Sequence, residues 1–429
     1  MRDFYQFKSF NVGRWVVWTL FAVPLLLAPM VFNSGLGITV LSQMGIAIIA
    51  CLSYNMLLGQ GGMLSFGHAV YTGLGSFLAI HALNRITDGS LPIPVSAVPL
   101  VGGLAGMGFA ALFGYVTTRK AGNTFAMITL GLAELVFAMS LMIPEFFGGE
   151  GGVSGNRVVG DPVMGITFGP AVQVYYLIAA YTFVCVAAMF AFTGTPLGRM
   201  LNAVRDNPER VEFIGYNPQK VRYLAFIIAG FFAGISGGLG ALTFEIVTAE
   251  VVGAARSGAY LLFTFLGGAS FFFGPIIGAV LMVLAFVLLS EFTKAWLLYL
   301  GLVFLFMVIY APGGIASLIM MNLRVAKYGK LKTLRVSYLG LAGTASVALA
   351  GAAAMVEMIY HHQLDSAMGS ELRFMGVMLD ASGLNSWVGA ILVFLVGLGL
   401  FELCRREFAK QWSSIQESIE KELQRQGAL

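Results

Sequence analysis

Long apolar runs constrain the fold of this chain more than any other feature of its sequence. They lie near residues 15–32, 36–57, 66–83, 94–117, 124–143, 172–193, 223–243, 259–272, 274–290, 294–311, 336–359 and 386–404. A helix of about 20 apolar residues crosses the ~30 Å hydrocarbon core of a bilayer. Only helices and closed barrels satisfy their backbone polar groups there. We therefore predict an all-α polytopic membrane protein, with about ten transmembrane helices in a core and about two more after it; the run 259–272 is short for a full crossing.

Composition agrees with a membrane protein and excludes an ordinary soluble domain. Of the 429 residues, 58% are hydrophobic and 11% are charged, whereas soluble domains carry about 25% charged residues. The net charge of +4 is small and dispersed, so nothing indicates a nucleic-acid partner. Cys51, Cys185 and Cys404 lie far apart, with neither disulfide nor zinc-site spacing. The lipid bilayer is the predicted environment, and no metal site is predicted.

Charged residues between the runs predict the orientation. The basic residues that flank them are Arg2, Lys8, Arg14, Arg119, Lys120, Arg199, Arg205, Arg210, Lys220, Arg222, Arg324, Lys327, Lys330, Lys332, Arg335, Arg405, Arg406 and Lys410. The alternate loops, 144–171 and 244–258, hold Glu145, Glu150, Asp161, Glu245 and Glu250 against Arg157 and Arg256. Because cytoplasmic loops are enriched in lysine and arginine, we predict that both termini are cytoplasmic.

The chain divides into four predicted regions. Residues 1–320 form a dense membrane core, 321–335 a basic cytoplasmic linker, 336–404 an additional two-helix hairpin, and 405–429 an amphipathic cytoplasmic tail. In the tail, apolar residues recur at helical spacing, namely Phe408, Trp412, Ile415 and Ile419. Such a pattern suits a helix on the inner membrane surface or one that docks on a partner.

Residues 55–76, NMLLGQGGMLSFGHAVYTGLGS, interrupt the apolar pattern with glycines and polar side chains. Glycines at 59, 61 and 62 predict a break near 59–65, and Ser65 is a candidate N-cap for a helix that restarts there. Two interpretations stay open. The small residues serve close helix packing, or the irregular backbone lines a wet cavity.

Residues 196–222 read as a short amphipathic helical segment. Leu201, Val204, Val211 and Ile214 give an apolar stripe, and Gly215 ends the segment. Arginines at 199, 205 and 210 alternate with acidic residues at 206, 209 and 212. The segment is either a solvated basic loop or a helix that docks into a cytoplasmic ATPase.

Gly230, Gly234 and Gly238 recur every four residues in the run 223–243. This spacing places them on one face of a helix, where a neighbouring helix can approach closely. We predict a packing role for these three glycines.

Several segments resemble the LivM-type permeases of branched-chain amino acid ABC transporters. These are SYNMLLGQGGMLSFGHAVYTGLGS at 53–76, TFAMITLGL at 124–132, FGGEGGVSG at 147–155, GRMLNAVRDNPERVEFIGYNPQKVRYLAFIIAGFFAGISGGL at 198–239, GGASFFFGPIIGA at 267–279 and APGGI at 311–315. Met63 and Glu134 stand where that family commonly has glutamine. The resemblance ends near residue 316 and does not include the last ~110 residues.

The resemblance implies the transmembrane permease subunit of an ATP-driven ABC importer for branched-chain or related small amino acids, in the bacterial inner membrane. It implies a second permease subunit of LivH type, two ABC ATPase subunits and a periplasmic substrate-binding protein as partners. The subunit is then non-catalytic and has no cofactor of its own, since ATP binds the ATPase subunits; the chain contains no G-x-x-x-x-G-K-[ST] loop. The coupling helix of such permeases corresponds to 198–215, with Arg205, Asp206, Glu209 and Gly215 as candidate coupling residues.

The predicted substrate pathway follows from the break. Ser65, His68 and Thr72 share one helix face, and Glu134 is the clearest acidic residue deep in a span. The N-terminus of the restarted helix, with its unpaired N–H groups, would favour a carboxylate cargo. We expect a neutral His68 that donates a hydrogen bond and fixes the break. Alternatively, His68 is a buried packing residue, and Glu134 is protonated and bonded to a neighbouring helix.

Two other function classes remain as alternatives. An ion-coupled secondary transporter of small organic acids would use charged residues deep in its spans, and Glu134 is one isolated candidate. A membrane-bound enzyme would need a catalytic or metal-binding cluster, but His361 and His362 have no third metal-ligating group at suitable spacing.

Overall fold

A computed structural model describes residues 12–159, 166–364, 370–374 and 376–425. Arg2, Lys8 and Asp161, which entered the orientation prediction, lie outside these ranges. The helices are α1 (Val12–Val31), α2 (Gly35–Asn55), α3 (His68–Thr87), α4 (Val98–Thr117), α5 (Gly122–Met142), α6 (Pro144–Phe147), α7 (Ala171–Gly194), α8 (Pro196–Asp206), α9 (Pro208–Phe213), α10 (Pro218–Phe244), α11 (Ala254–Gly267), α12 (Gly274–Leu284), α13 (Ser290–Phe292), α14 (Trp296–Tyr310), α15 (Gly314–Lys327), α16 (Arg335–Leu364) and α17 (Leu384–Arg425).

Strands are few among the described residues. β1 (Val153–Ser154) pairs antiparallel with β2 (Ile246–Val247), with Val153 opposite Val247. β3 (Glu371–Phe374) and β4 (Val377–Asp380) form a hairpin between α16 and α17. The prediction of an all-α polytopic membrane protein is confirmed.

Each predicted apolar run coincides with a helix, and the helix count is roughly as predicted. Among the described residues, eight helices are long and apolar enough to cross a membrane, and the pair α14 and α15, bent by 50°, gives a possible ninth. α3 does not pass this test because glycine, serine, threonine and histidine dilute its apolar residues. α11 has 14 residues, so its length of about 21 Å is short for the hydrocarbon core.

The predicted helix break is confirmed. α2 continues as a π-helical turn over Met56–Gln60, and no regular helix forms until His68 begins α3. Gly62 has φ +63°, a conformation that favours glycine. An added Cβ at Gly59 would lie 2.2 Å from the carbonyl oxygen of Ala269, so the break needs glycine there for close approach. The prediction that Ser65 caps α3 is wrong, because Gly67 occupies the cap position.

One compact unit comprises the described residues up to Phe286 together with Pro312–Ala316. In this unit α10 packs against α4 and α3, while α2 packs against α7, α10 and α12. The glycines of α10 face α4 at very short range: an added Cβ would lie 2.8 Å from Gly106 O at Gly230, 2.1 Å from Gly102 O at Gly234, and 2.8 Å from Pro99 Cα at Gly238.

The second unit comprises Val287–Ala311 and the described residues from Ser317 onward. α16 packs along α17, with Gly351 close to Phe394 and Gly397 close to Ala348. Thr293 and Tyr299 donate hydrogen bonds to one carboxylate oxygen of Glu357, at 2.5 and 3.0 Å. The four predicted regional boundaries stay predictions.

The last part of α17 packs on the chain's own linker. Ile419 is buried together with Val325 and Leu334, and Phe408, Trp412 and Ile415 pack against this cluster. The apolar stripe of the tail is therefore covered within the chain, and neither a membrane surface nor a partner is needed to explain it.

Candidate functional site

His68 ties the two sides of the helix break together. It is fully buried at the start of α3, and its Nε2 lies 2.8 Å from the Ser53 hydroxyl of α2. Its ring meets the Tyr54 ring edge-on, with centroids 5.2 Å apart. The Tyr54 hydroxyl donates to the carbonyl of Ser65 at 3.0 Å. These contacts hold the break in one conformation.

Polar atoms without hydrogen-bond partners collect around the break. Among the described residues, Asn55 Oδ1, Gln60 Oε1, His68 Nδ1 and the Tyr71 hydroxyl are buried and unpaired. Each such atom costs about 1–3 kcal/mol, and buried polar groups in proteins are normally paired. Two further such atoms, Thr117 Oγ1 and Thr182 Oγ1, lie on α4 and α7, so most of the unpaired atoms in the described part of the chain lie next to the break, which marks it as a place that can bind water or a polar group.

The start of α3 differs from the prediction, because three N–H groups at and just before it already have partners. The N–H of Ala69 donates to the Ser257 hydroxyl of α11 at 2.9 Å, and the N–H of Phe66 donates to the Thr129 hydroxyl of α5 at 3.1 Å. The N–H of Gly67 bonds to the Ser65 hydroxyl at 3.3 Å. The expectation of free N–H groups that favour a carboxylate is therefore wrong for these positions. Ser257 and Thr129 were not recognised from the sequence, where they lie far from the break.

A recess lies beside α3, between α2, α10 and α11. Its lining residues are Ile46, Thr72, Ser76, Ser236, Gly237, Gly240, Ala241, Phe244, Ile246, Val247, Val251, Arg256 and Tyr260. Of the predicted pathway residues, Thr72 lines it, whereas Ser65 and His68 do not and are buried, at 0% exposure. Tyr260 lines the recess and also meets the His68 ring edge-on, at 6.3 Å between centroids.

Arg205 of α8 contacts the break directly. Its guanidinium Nη1 donates a hydrogen bond to the carbonyl of Gly59, and its Nε donates to Asp206 at 2.9 Å. An added Cβ at Gly62 would lie 2.8 Å from Arg205 Cγ. The stem of Arg205 therefore lies on the glycines of the break, and its head binds the backbone at the end of the π-helical turn.

The rest of the α8–α9 segment is anchored on one side and exposed on the other. Leu201, Val204 and Val211 are buried, but Ile214 is 62% exposed, so the predicted apolar stripe lacks its last member. Phe213 is 89% exposed, and Asp206 and Glu209 are exposed as well. Gly215 has φ +89°, which explains a glycine at the end of α9.

Glu134 lies on a different surface from the recess. It is exposed in the second half of α5, and its carboxylate has no hydrogen-bond or ion-pair partner within the part of the chain that the structure describes. Leu130 and Leu135 beside it are also exposed. Glu134 thus neither lines the recess with Thr72 nor joins the buried Ser65 and His68.

An ion pair fixes the loop that borders the recess. Arg157 Nη1 lies 3.4 Å from Glu245 Oε2, and the guanidinium also donates to the carbonyls of Leu242, Thr243 and Phe168. Glu245 has φ +56° at the end of α10. The two residues appeared in the sequence only as opposite charges in different outer loops. Because Arg157 and Glu245 lie far apart in the sequence, no local sequence pattern predicts that they form an ion pair.

Comparison with known proteins finds permease proteins of transport systems. The family described as "Branched-chain amino acid transport system / permease component" matches residues 37–312. The high-affinity branched-chain amino acid transport system permease protein LivM of Salmonella typhimurium is 27% identical over 67% of this chain and 71% of its own length. LivM of Escherichia coli is 27% identical, over 63% of this chain and 67% of its own length.

A third relative is the guanosine ABC transporter permease protein NupQ of Bacillus subtilis, 26% identical over 57% of this chain and 70% of its own length. No solved structure matches the chain significantly. The matched range contains the break, the recess and the α8–α9 segment, and it covers most of the chain. The resemblance to LivM-type permeases is thereby confirmed, and the chain belongs to the family of permease components of branched-chain amino acid transport systems.

Proposed function

We propose that this chain is a transmembrane permease subunit of an ATP-driven ABC importer for branched-chain or related small amino acids. In this proposal a periplasmic binding protein delivers the cargo. Two LivM relatives support an amino acid cargo, whereas the NupQ relative is named for guanosine. The proposed location is the bacterial inner membrane, with both termini cytoplasmic as the basic residues predict.

The contact between Arg205 and the Gly59 carbonyl carries the proposal. It joins α8, a charged and partly exposed helix on the predicted cytoplasmic side, to the break that separates α2 from α3. A force that moves α8 would therefore act on the break directly. This is the arrangement that an ATP-driven importer needs and that a channel or an ion-coupled transporter does not.

We propose that α8 and α9 transmit the movement of an ABC ATPase subunit. Phe213 and Ile214 are apolar yet largely exposed, and such residues fit a cleft on another protein. Arg205, Asp206, Glu209 and Gly215 keep their predicted coupling roles, with Arg205 on the side of the break and Glu209 on the side of the ATPase. The ATPase subunits, not this chain, would bind and hydrolyse ATP.

We further propose that the face of α5 around Glu134 contacts the second permease subunit, of LivH type. An ionised carboxylate in the middle of the membrane is costly when it faces lipid. Glu134 is exposed in this chain alone, so a protein surface or a wet passage is required to cover it. A pathway between two permeases supplies both.

Within this chain, Thr72 would border the entry side of the pathway, and Ser65 and His68 would border its narrow part. His68 bonds to Ser53 and supports the break, which agrees with a hydrogen-bonding role. Tyr260 lines the recess and meets the His68 ring of the break edge-on, so opening of the pathway would separate these two rings.

Reconstitution tests the proposal against the ion-coupled alternative. Proteoliposomes with this chain, the second permease and both ATPases should accumulate labelled leucine when loaded binding protein is outside and ATP is inside. Proteoliposomes with this chain alone should accumulate none, with or without a proton or sodium gradient. Accumulation by the single chain under an ion gradient would reject the importer and favour a secondary transporter.

A further inference from the structure

The recess beside α3 has the features of a binding site for a small carboxylate. We propose that it receives the α-amino acid end of the cargo, with Arg256 as the anion-binding group. The inference rests on the proposed import of amino acids and adds to it a site and a recognition chemistry. In this proposal Arg256 takes the anion-binding role that the sequence suggested for the N-terminus of α3, where the N–H groups of Phe66, Gly67 and Ala69 are already bonded.

Arg256 supplies the positive charge. It is exposed near the start of α11 and lines the recess, and its guanidinium has no ion pair or hydrogen bond with any residue that the structure describes. Arg157, by contrast, is held by Glu245 and by backbone carbonyls. A guanidinium binds a carboxylate through two parallel hydrogen bonds, which a neutral ligand cannot reproduce. Arg256 is therefore a cation of the recess lining that has no partner in the described part of the chain.

Hydroxyl groups supply the other polar atoms of the recess lining. Tyr260 follows Arg256 by one helical turn and lines the recess, and its hydroxyl has no hydrogen-bond partner among the described residues. Thr72, Ser76 and Ser236 line the recess as well, each with a hydroxyl that already donates to a backbone carbonyl. Such a hydroxyl still offers oxygen lone pairs, so these side chains can accept from an ammonium group.

The recess has room for the polar end of an amino acid. Its volume is about 60 Å³, several times the ~10–15 Å³ that a cavity needs to hold one water molecule. A carboxylate and an ammonium group therefore fit beside the hydroxyl groups. The side chain would extend toward Phe244 and Ile246, which line the recess and offer exposed apolar surface. The site thus recognises what amino acids share and leaves side-chain selection to another component.

The position of the recess agrees with a receiving site. Tyr260 lines the recess and its ring meets the ring of His68, which belongs to the break and carries an unpaired Nδ1. A carboxylate bound in the recess would therefore hold the cargo next to the break.

A labelling experiment tests the site without requiring transport. In the assembled transporter, Cys51, Cys185 and Cys404 are replaced by alanine, and Ile246, which is 46% exposed at the mouth, is replaced by cysteine. The rate at which a water-soluble methanethiosulfonate modifies this cysteine is measured with L-leucine, glycine, leucinamide or guanosine present. We expect leucine and glycine to slow the reaction, whereas leucinamide and guanosine, which lack a carboxylate, do not.

Arg256→Gln should weaken this protection about tenfold or more, as loss of a charge-assisted hydrogen bond does. Arg256→Lys should retain part of it. Arg85→Gln is the matched control, since Arg85 is exposed on α3 and does not line the recess. An unchanged thermal unfolding midpoint shows that each variant is folded.

Four results would overturn the proposed site. These are equal protection by leucine and leucinamide, protection by guanosine, leucine protection that Arg256→Gln leaves intact, and absence of protection by every ligand. Failure of ATP-driven uptake with protection intact would instead reject the importer function alone. Normal uptake without protection would reject the site alone.

Discussion

At the scale of single residues, glycine allows the closest contacts in the core. Gly234 of α10 lies against α4 so closely that an added Cβ would be 2.1 Å from Gly102 O and 3.0 Å from Gly103 Cα. Both neighbours are backbone atoms of a helix and cannot rotate away. Gly240, six residues further along α10, has no atom within 4 Å of an added Cβ. The same substitution at the two positions therefore has opposite consequences.

We predict that Gly234→Ala lowers the thermal unfolding midpoint of the detergent-solubilised chain. Forcing α10 away from α4 should cost about 1–3 kcal/mol, as overpacking does. Gly240→Ala should leave the midpoint unchanged or raise it, because alanine favours a helix by about 0.5–1 kcal/mol over glycine. Equal midpoints for the two variants would mean that α10 and α4 are not in close contact.

The glycines of α10 could be predicted because their four-residue spacing is a local pattern. The polar contacts of the break could not. Ser65 is a good capping residue by type, yet the backbone turns so that Gly67 precedes the helix. The hydroxyls of Ser257 and Thr129 accept the N–H groups of Ala69 and Phe66. Those acceptors lie on α11 and α5, and nothing in the local sequence relates them to the break.

At the scale of elements, α8 has a buried side and an exposed side. Leu201 and Val204 on the buried side pack in the core. Arg205 of the same helix donates a hydrogen bond to the carbonyl of Gly59. Its exposed side carries Arg199 and Asp206. The sequence predicted an amphipathic segment of this length, but it did not indicate that Arg205 turns toward the chain's own break.

Arg205→Met should uncouple ATP hydrolysis from transport. Methionine keeps an unbranched apolar stem next to Gly62 but cannot donate a hydrogen bond to the Gly59 carbonyl. In the assembled transporter, the stimulation of ATPase activity by loaded binding protein should fall at least about tenfold, as expected for loss of a charge-assisted bond in a coupling step. Folding should survive because Arg205 is partly exposed.

The matched control is Arg199→Met, which removes the same charge from the exposed side of α8. It should leave the stimulation nearly unchanged, since no side-chain hydrogen bond or ion pair of Arg199 occurs within the described residues. If both variants lose stimulation equally, the positive charge of α8 matters and the contact with Gly59 does not.

At the scale of the whole molecule, the chain combines a family core with a second unit. The family match ends at residue 312, and the second unit holds α16, α17 and the β3–β4 hairpin.

The apolar runs and the amphipathic tail could be predicted from hydropathy and helical spacing. What the tail covers could not, because a stripe of apolar residues does not identify its partner. Here the partner is the linker of the same chain, with Val325 and Leu334.

Ile419→Asp should loosen the tail without stopping transport. Ile419 is fully buried against Val325 and Leu334, and replacing such a residue by alanine alone costs about 2–5 kcal/mol. A carboxylate in that place would also lose its hydration. Limited proteolysis should therefore cut the last part of α17 much faster in this variant. Ser414→Asp, which adds the same charge at an exposed position of α17, should not change the cleavage rate.

Leucine uptake by the assembled transporter should match that of the unaltered chain in both variants, because the break, α8 and the recess all lie within the family core. Loss of uptake in Ile419→Asp alone would instead show that the packed tail takes part in transport.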